Sequence, residues 1–330
     1  METKKKFPTQ KGQNVLNLTE DQARQHIEKL LWPDGQPVCH SCGSVDCYRM
    51  EGVSCRPGLC RCRTCKKQFT VTVGTIFEDS HLPLAVWVRA IHFMSTSKKG
   101  MSALQLQRNL GLGSYKTAWH LAHRIRLAMK CQPMPKLLTG EVQIDEAYIG
   151  ANRRSKNWDG IKRKRGRGTT KTPVLALVET GGSVRSMPMN KVTSATLKAV
   201  MQDSIDPSAR IVTDEFSAYN RGAREFAGGH FKVIHKRNQY VTADGMTTNT
   251  AEAYFALLKR GIHGTFHHVS KQHLHRYCDE FSFRWNGRQL TDTARRDAAV
   301  QGAEGKRLTF KAPKAKKDEP KQDGDQLPMF

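Results

Sequence analysis

The spacing of four cysteines limits what this chain can fold into more than any other feature. Cys39 and Cys42 form one Cys-x-x-Cys pair, and Cys62 and Cys65 form a second after nineteen intervening residues. Each pair makes a tight knuckle that aims two thiolates at one point, and two knuckles at this separation suit one tetrahedral structural zinc ion. So short a segment has no hydrophobic core of its own, and the ion takes the place of one. Cys60 competes for the third position, but only Cys62 has two-residue spacing to Cys65. The alternating run at residues 68–73 is predicted as a strand closing the ribbon.

The chain has 330 residues, long enough for two or three domains, and 54 Lys and Arg against 30 acidic residues leave a net charge of +24. Such an excess, clustered in several places, points to a polyanionic partner, nucleic acid above all. No apolar run is long enough to span a membrane, and the first residues lack the apolar core of a secretory signal. Of nine cysteines, only Cys131 and Cys278 lie outside residues 39–65. That crowding, without a signal, reads as a metal site in a reducing, cytoplasmic compartment.

Residues 18–31 are predicted as a short orienting helix, with Thr19 as N-cap and Gln22 three positions on. Residues 82–130 read as three helices, the last two joined at Gly111-Leu-Gly113 in a helix-turn-helix layout. The outer face of the third is expected to show Lys116, His120, His123, Arg124 and Arg126, with Lys116, Arg124 and Arg126 on DNA.

From residue 141 the pattern alternates. Strands are predicted at 141–149, 173–179, 183–189, 210–214 and 231–235, with a helix across 194–205. Three strands, a helix, a fourth strand, a helix and a fifth strand is the ribonuclease-H-like order, built on a mixed five-stranded sheet. Asp145 then stands within the first strand and Asp214 at the end of the fourth. A further helix over 249–260 sets Glu252 and Lys259 two turns apart on one face, with Ala251, Phe255 and Leu258 as its apolar edge. Two strand-borne aspartates and a helix-borne glutamate are a ligand set for a pair of hard divalent ions. Between the first two strands lie nine basic residues against Asp159 alone. Arg153, Arg154, Lys162, Arg163, Lys164, Arg165 and Arg167 are the predicted DNA contacts of this arm. The four histidines between 263 and 273 are assigned to phosphate or DNA, because magnesium prefers oxygen ligands.

The predicted layout is therefore multi-domain α/β: a helical segment (1–35), a zinc ribbon (36–78), a helix-turn-helix domain (79–131), a ribonuclease-H-like catalytic domain (132–290) and a basic, largely disordered tail (291–330).

Several stretches taken together resemble bacterial insertion-sequence transposases of the DDE class with an N-terminal zinc ribbon, the ISXO-type, Merlin-related family. They include Cys-Arg-Thr-Cys-Lys-Lys-Gln-Phe (62–69), Asp-Glu-Ala-Tyr-Ile-Gly (145–150), Thr-Asp-Glu-Phe-Ser-Ala-Tyr (213–219) and Asn-Thr-Ala-Glu-Ala-Tyr-Phe-Ala-Leu-Leu-Lys-Arg-Gly (249–261). The resemblance implies a catalytic set of Asp145, Asp214 and Glu252 holding two Mg2+ or Mn2+ ions, with Lys259 on a neighbouring phosphate. Asn249 stands one turn before Glu252 as the competing third ligand. It further implies binding to terminal inverted repeats and target DNA, strand cleavage and transfer, and a homodimer or higher oligomer on nucleoid DNA. The rival expectation is an inactive DNA-binding regulator built on the same domains.

The last five residues, Gln326-Leu-Pro-Met-Phe330, resemble the peptide by which bacterial replication and repair proteins dock on the polymerase sliding clamp. Gln326, Leu327, Met329 and Phe330 are its predicted contacts, presented on a polar tether.

Overall fold

The computed structural model describes residues 15–130, 137–150, 169–234, 241 and 245–310. The arginines and lysines of the arm (153–167) predicted to contact DNA and the predicted clamp-docking peptide (326–330) lie outside the described residues. The chain divides into two compact units, 1–96, 103–128 and 290–308 in the first and the remaining residues in the second. The zinc ribbon and the helices after it thus share one unit, instead of the two domains expected.

In the first unit, α1 (Glu20–Leu31) opens with the predicted capping box between Thr19 and Gln22. The ribbon follows as β1 (Cys47–Arg49), β2 (Cys60–Cys62) and β3 (Gln68–Phe69), an antiparallel sheet in that order. The closing strand is shorter than the predicted 68–73. Thr70 and Thr72 hydrogen-bond through their hydroxyls at 2.7 Å, and the Val73 N–H donates to Thr70, so the chain turns there. Helix α2 (Leu84–Thr96) buries Trp87, Val88, Ile91 and Met94, and the Glu20 carboxylate of α1 caps its start, accepting from the Leu84 and Ala85 N–H groups.

Helix α3 (Ala103–Leu110) ends at Gly111, whose φ of +64° makes the tight turn into α4 (Tyr115–Met129). Leu106, Ala118, Leu121, Ala122 and Ile125 are buried. Arg124 and Arg126 overturn the expectation of a basic outer face, because both are buried. Arg124 donates to the Glu78 carbonyl and lies 5.1 Å from the Trp87 ring centre. Carbonyl and aromatic partners hold the guanidinium inside, where periodicity alone would send it to water. His123 is likewise buried, its ring 4.1 Å from that of Trp119.

The second unit is built on β4 (Glu141–Ile149), β5 (Thr172–Glu179), β6 (Val184–Pro188), α5 (Ser194–Ser204), β7 (Arg210–Thr213), α6 (Asn220–Ala223), β8 (His230–Lys232), α7 (Asn249–Gly261) and α8 (Leu274–Asn286). The sheet order is β6-β5-β4-β7-β8, with β5 and β6 antiparallel and β7 and β8 parallel to β4. This is the predicted mixed five-stranded, ribonuclease-H-like arrangement, each strand close to its expected place. Alternation along β4 and β5 divides the core. Ala147, Ile149, Val174, Ala176 and Val178 pack with Tyr254, Phe255 and Leu258 of α7 and Phe281 of α8. Val142, Ile144, Leu175 and Leu177 pack on the other face with Leu197 and Met201 of α5 and with Tyr219. A hydroxyl cluster of Ser186, Tyr254 and Ser282 (2.5 and 3.0 Å from Ser186) ties β6 to both covering helices. Gly261 leaves no room for a Cβ, which would run into the Phe281 ring.

The tail expected from residue 291 begins instead with a helix, α9 (Asp292–Gln301), which belongs to the first unit. Ala299, Val300 and Ala303 are buried, and Asp297 bonds His26 of α1 at 3.0 Å. Small apolar residues among paired charges were enough to dock a segment that composition reads as solvated.

Candidate functional site

The ribbon carries its four thiolates where the spacing put them. Cys39 and Cys65 approach to 3.6 Å between sulfurs, Cys42 and Cys62 also to 3.6 Å, and all four lie within 4.8 Å of one another. Zinc–sulfur bonds of about 2.3 Å in a tetrahedron place sulfurs about 3.8 Å apart, so the quartet fits one zinc ion. The residue after each pair, Gly43 at φ +72° and Lys66 at φ +60°, takes the left-handed conformation that closes the knuckle. The Cys65 N–H bonds the Cys62 sulfur at 3.4 Å, and that bond brings the Cys62 thiol down to about 6. Cys60 is buried outside the quartet, and burial pushes its thiol up. Of the two, Cys62, the one with two-residue spacing to Cys65, is the member of the quartet.

The carboxylates gather at one end of the central strands. Ile144 of β4 pairs with Thr213 of β7 in parallel register, so the next residue of each chain, Asp145 and Asp214, stand side by side. Asp145 shares its strand face with Gln143, two residues earlier. Gln143 is buried, and its Oε1 accepts from the N–H groups of Thr250 (2.9 Å) and Ala251 (3.1 Å) in the first turn of α7. Its Nε2 donates to Thr180 at 3.2 Å and Glu141 at 3.3 Å. Gln143 thereby fixes the start of α7, and with it Glu252, to the strand that bears Asp145. Nothing in the sequence marks this glutamine except its place two residues before an aspartate.

Burial pushes the Asp145 carboxyl up to about 7, and the charges of Glu146, Asp214 and Glu252 push the same way. Four carboxylates therefore share one field, and Asp145 lies inside it. Glu252 is exposed on α7, with the Thr248 hydroxyl 3.5 Å from its Oε1. Lys259 and Asn249 are exposed on the same helix. Glu146 points to the opposite sheet face, where the buried Tyr219 hydroxyl donates to it. This bond joins the residue after Asp145 to the turn after Asp214, a link the sequence does not announce. An all-oxygen donor set is the kind that suits a hard divalent cation, although among the described residues only the cysteine quartet brings its ligand atoms within 4.8 Å of one another.

The crowding has a measurable cost. An unfolded Asp titrates near 4 and the folded Asp145 near 7, so between these values the folded state holds the extra proton. Stability from this group falls as pH rises from about 4 to about 7, and the full cost, on the order of 4 kcal/mol, remains above that. With zinc bound and no other divalent ion, Asp145→Asn is expected to melt several degrees higher than the parent at pH 8 and to lose the advantage near pH 4. A lower melting point at pH 8 would refute the crowding.

Residues 137–286 match the ISXO2-like transposase domain family, and residues 18–68, which include α1, match the transposase zinc-ribbon domain family. An uncharacterized protein in transposable element ISH50 of Halobacterium salinarum is 29% identical over 276 residues, covering 81% of this chain and 91% of the relative. Among the described residues, no helix is long and apolar enough to cross a membrane. The chain carries a transposase zinc-ribbon domain followed by an ISXO2-like transposase domain, the make-up of an insertion-sequence transposase.

Proposed function

We propose that this transposase cuts and joins DNA strands at the ends of its element, with Asp145, Asp214 and Glu252 as ligands of two divalent metal ions. The observation that carries the reading is geometric: parallel register of β4 and β7 sets Asp145 beside Asp214, and Gln143 ties the first turn of α7, which bears Glu252, to the same strand. Held by these residues, Mg2+ or Mn2+ would supply Lewis-acid activation for an attacking water or 3′-hydroxyl and charge stabilisation for the leaving group. Gln143 positions the helix that presents Glu252, and Glu146 with Tyr219 holds the two aspartate-bearing segments together. Lys259, two turns along the exposed face of α7, meets a neighbouring phosphate as a point charge. Asn249, exposed one turn before Glu252, is the substitute ligand if Glu252 is not used.

DNA is recognised by the ribbon and by the α3–turn–α4 pair, read as a helix-turn-helix. Burial removes Arg124 and Arg126 from this surface. The exposed groups at the start of α4 are Tyr115, Lys116 and Thr117, with Arg108 on α3, and the N-terminal end of a recognition helix is where base contacts are made. The basic arm of 153–167 adds salt-sensitive affinity. The protein works in the cytoplasm on nucleoid DNA as a homodimer or larger assembly.

Incubating the purified chain and Mg2+ with DNA bearing the element's inverted repeats should give nicks with free 3′-hydroxyls at the element ends. Binding without nicking would favour the regulator. We further propose that residues 326–330 dock on the sliding clamp. A labelled 318–330 peptide should bind purified clamp with micromolar affinity that Leu327→Ala abolishes, and the absence of saturable binding would dismiss the peptide.

A further inference from the structure

Beyond the carboxylates, the second unit holds a cavity of about 230 Å³ lined by Ile149, Gly150, Lys171, Ile262, His263, His267, His268 and Val269. Its floor is apolar, since Ile149, Ile262 and Val269 are all buried. Its rim is basic, with His263, His267 and His268 exposed and Lys171 half-buried. Among the described residues these histidines are not drawn together as a metal cluster, which only the cysteine quartet forms.

The backbone around the rim is unusual in two ways. Residues Ile262–Phe266 form a turn of π-helix, a rare form frequent at functional sites. His267 follows at φ +59°, a left-handed conformation that a side chain other than glycine adopts only when its surroundings hold it there. They do hold it. Phe266 packs edge-on against Tyr277 at 4.8 Å, the Thr265 hydroxyl donates to the Lys99 carbonyl at 3.1 Å, and the His267 Nδ1 lies 3.1 Å from the His263 carbonyl. The turn is anchored from beneath, and the three imidazoles face outward.

Two elements run from the carboxylates to this cavity. Along β4, Ile149 stands four residues, about 13 Å, beyond Asp145. Along α7, Glu252, Ala256 and Lys259 are exposed at helical spacing, a stripe of about 10 Å, and the exposed His263 follows one turn on in the π-helical segment. Ala256 leaves the middle of the stripe low, so a backbone can lie close to it. We infer that the cavity holds a backbone phosphate of the DNA strand running along α7 from the carboxylate site, with Lys171 and the histidines on the phosphate and the apolar floor under its sugar. At about 3.4 Å per base step, the gripped position lies about four or five steps from the reacting phosphate.

The inference rests on the proposed reading that the carboxylate site acts on DNA. Its test is fluorescence anisotropy of the full-length, zinc-loaded chain with a labelled 20-base-pair duplex, without Mg2+ so that cleavage plays no part. Lys171→Glu and the triple change His263→Gln, His267→Gln, His268→Gln are each expected to raise Kd about threefold or more. Lys171→Glu should also lower the slope of log Kd against log salt by about 0.9. Lys191→Glu, the same charge change at an exposed position before α5, is the control and should do markedly less. If both pocket variants, with melting points unchanged, bind like the parent or like the control, the pocket has no such role and the catalytic reading is untouched. If the parent chain binds no DNA at all, both readings fall.

Discussion

Asp145→Ala, Asp214→Ala and Glu252→Ala are each expected to lose Mg2+-dependent DNA cleavage by about a thousandfold or more while binding DNA nearly as the parent does. Metal-borne charge stabilisation is worth several kcal/mol in the transition state, and each 1.4 kcal/mol is a factor of ten. All three side chains belong to one field centred on Asp145, so the three losses should be similar and should not add when combined. Asn249→Ala is the contrasting variant. Its side chain is exposed one turn away, and cleavage should survive its removal. Cleavage kept in Glu252→Ala and lost in Asn249→Ala would transfer the third position to Asn249.

The second large effect concerns the ribbon. Metal binding by a small zinc domain contributes about 10–16 kcal/mol of folding free energy in isolated peptides, and most of it depends on a complete ligand set. Cys39→Ser, Cys42→Ser, Cys62→Ser and Cys65→Ser should therefore each yield chains without stoichiometric zinc, with residues 36–75 open to proteolysis. Cys60→Ser should retain one zinc per chain, because its thiol lies outside the quartet. Elemental analysis of the purified variants checks this, and zinc lost from Cys60→Ser but kept in Cys62→Ser would reverse the assignment.

Local signals with a strict period or a strict spacing were legible in advance. The capping box of α1, the strands of the mixed sheet and the two Cys-x-x-Cys knuckles all rest on residues within a few positions of one another. The errors fell where a side chain's fate depends on distant partners. Arg124 and Arg126 occupy helical positions that look solvent-facing, but Arg124 finds the Glu78 carbonyl and the Trp87 ring from elsewhere in its unit. Helix α9 looked like tail because its few buried groups are alanines and one valine, and Asp292, Arg295, Arg296 and Asp297 pair mostly among themselves. Gln143 is illegible for a similar reason. A glutamine in a strand reads as surface, and its role follows only from the N–H groups of a helix more than a hundred residues later.

Asp145, Asp214 and Glu252 are proposed to form one divalent-cation site, and counting bound Mn2+ tests this without relying on turnover. Electron paramagnetic resonance titration of the full-length, zinc-loaded chain on DNA should find two Mn2+ ions per chain, lost in Asp145→Asn, Asp214→Asn and Glu252→Gln and kept in Asn249→Ala. Mn2+ bound in equal number by the parent and the three carboxylate variants would contradict it.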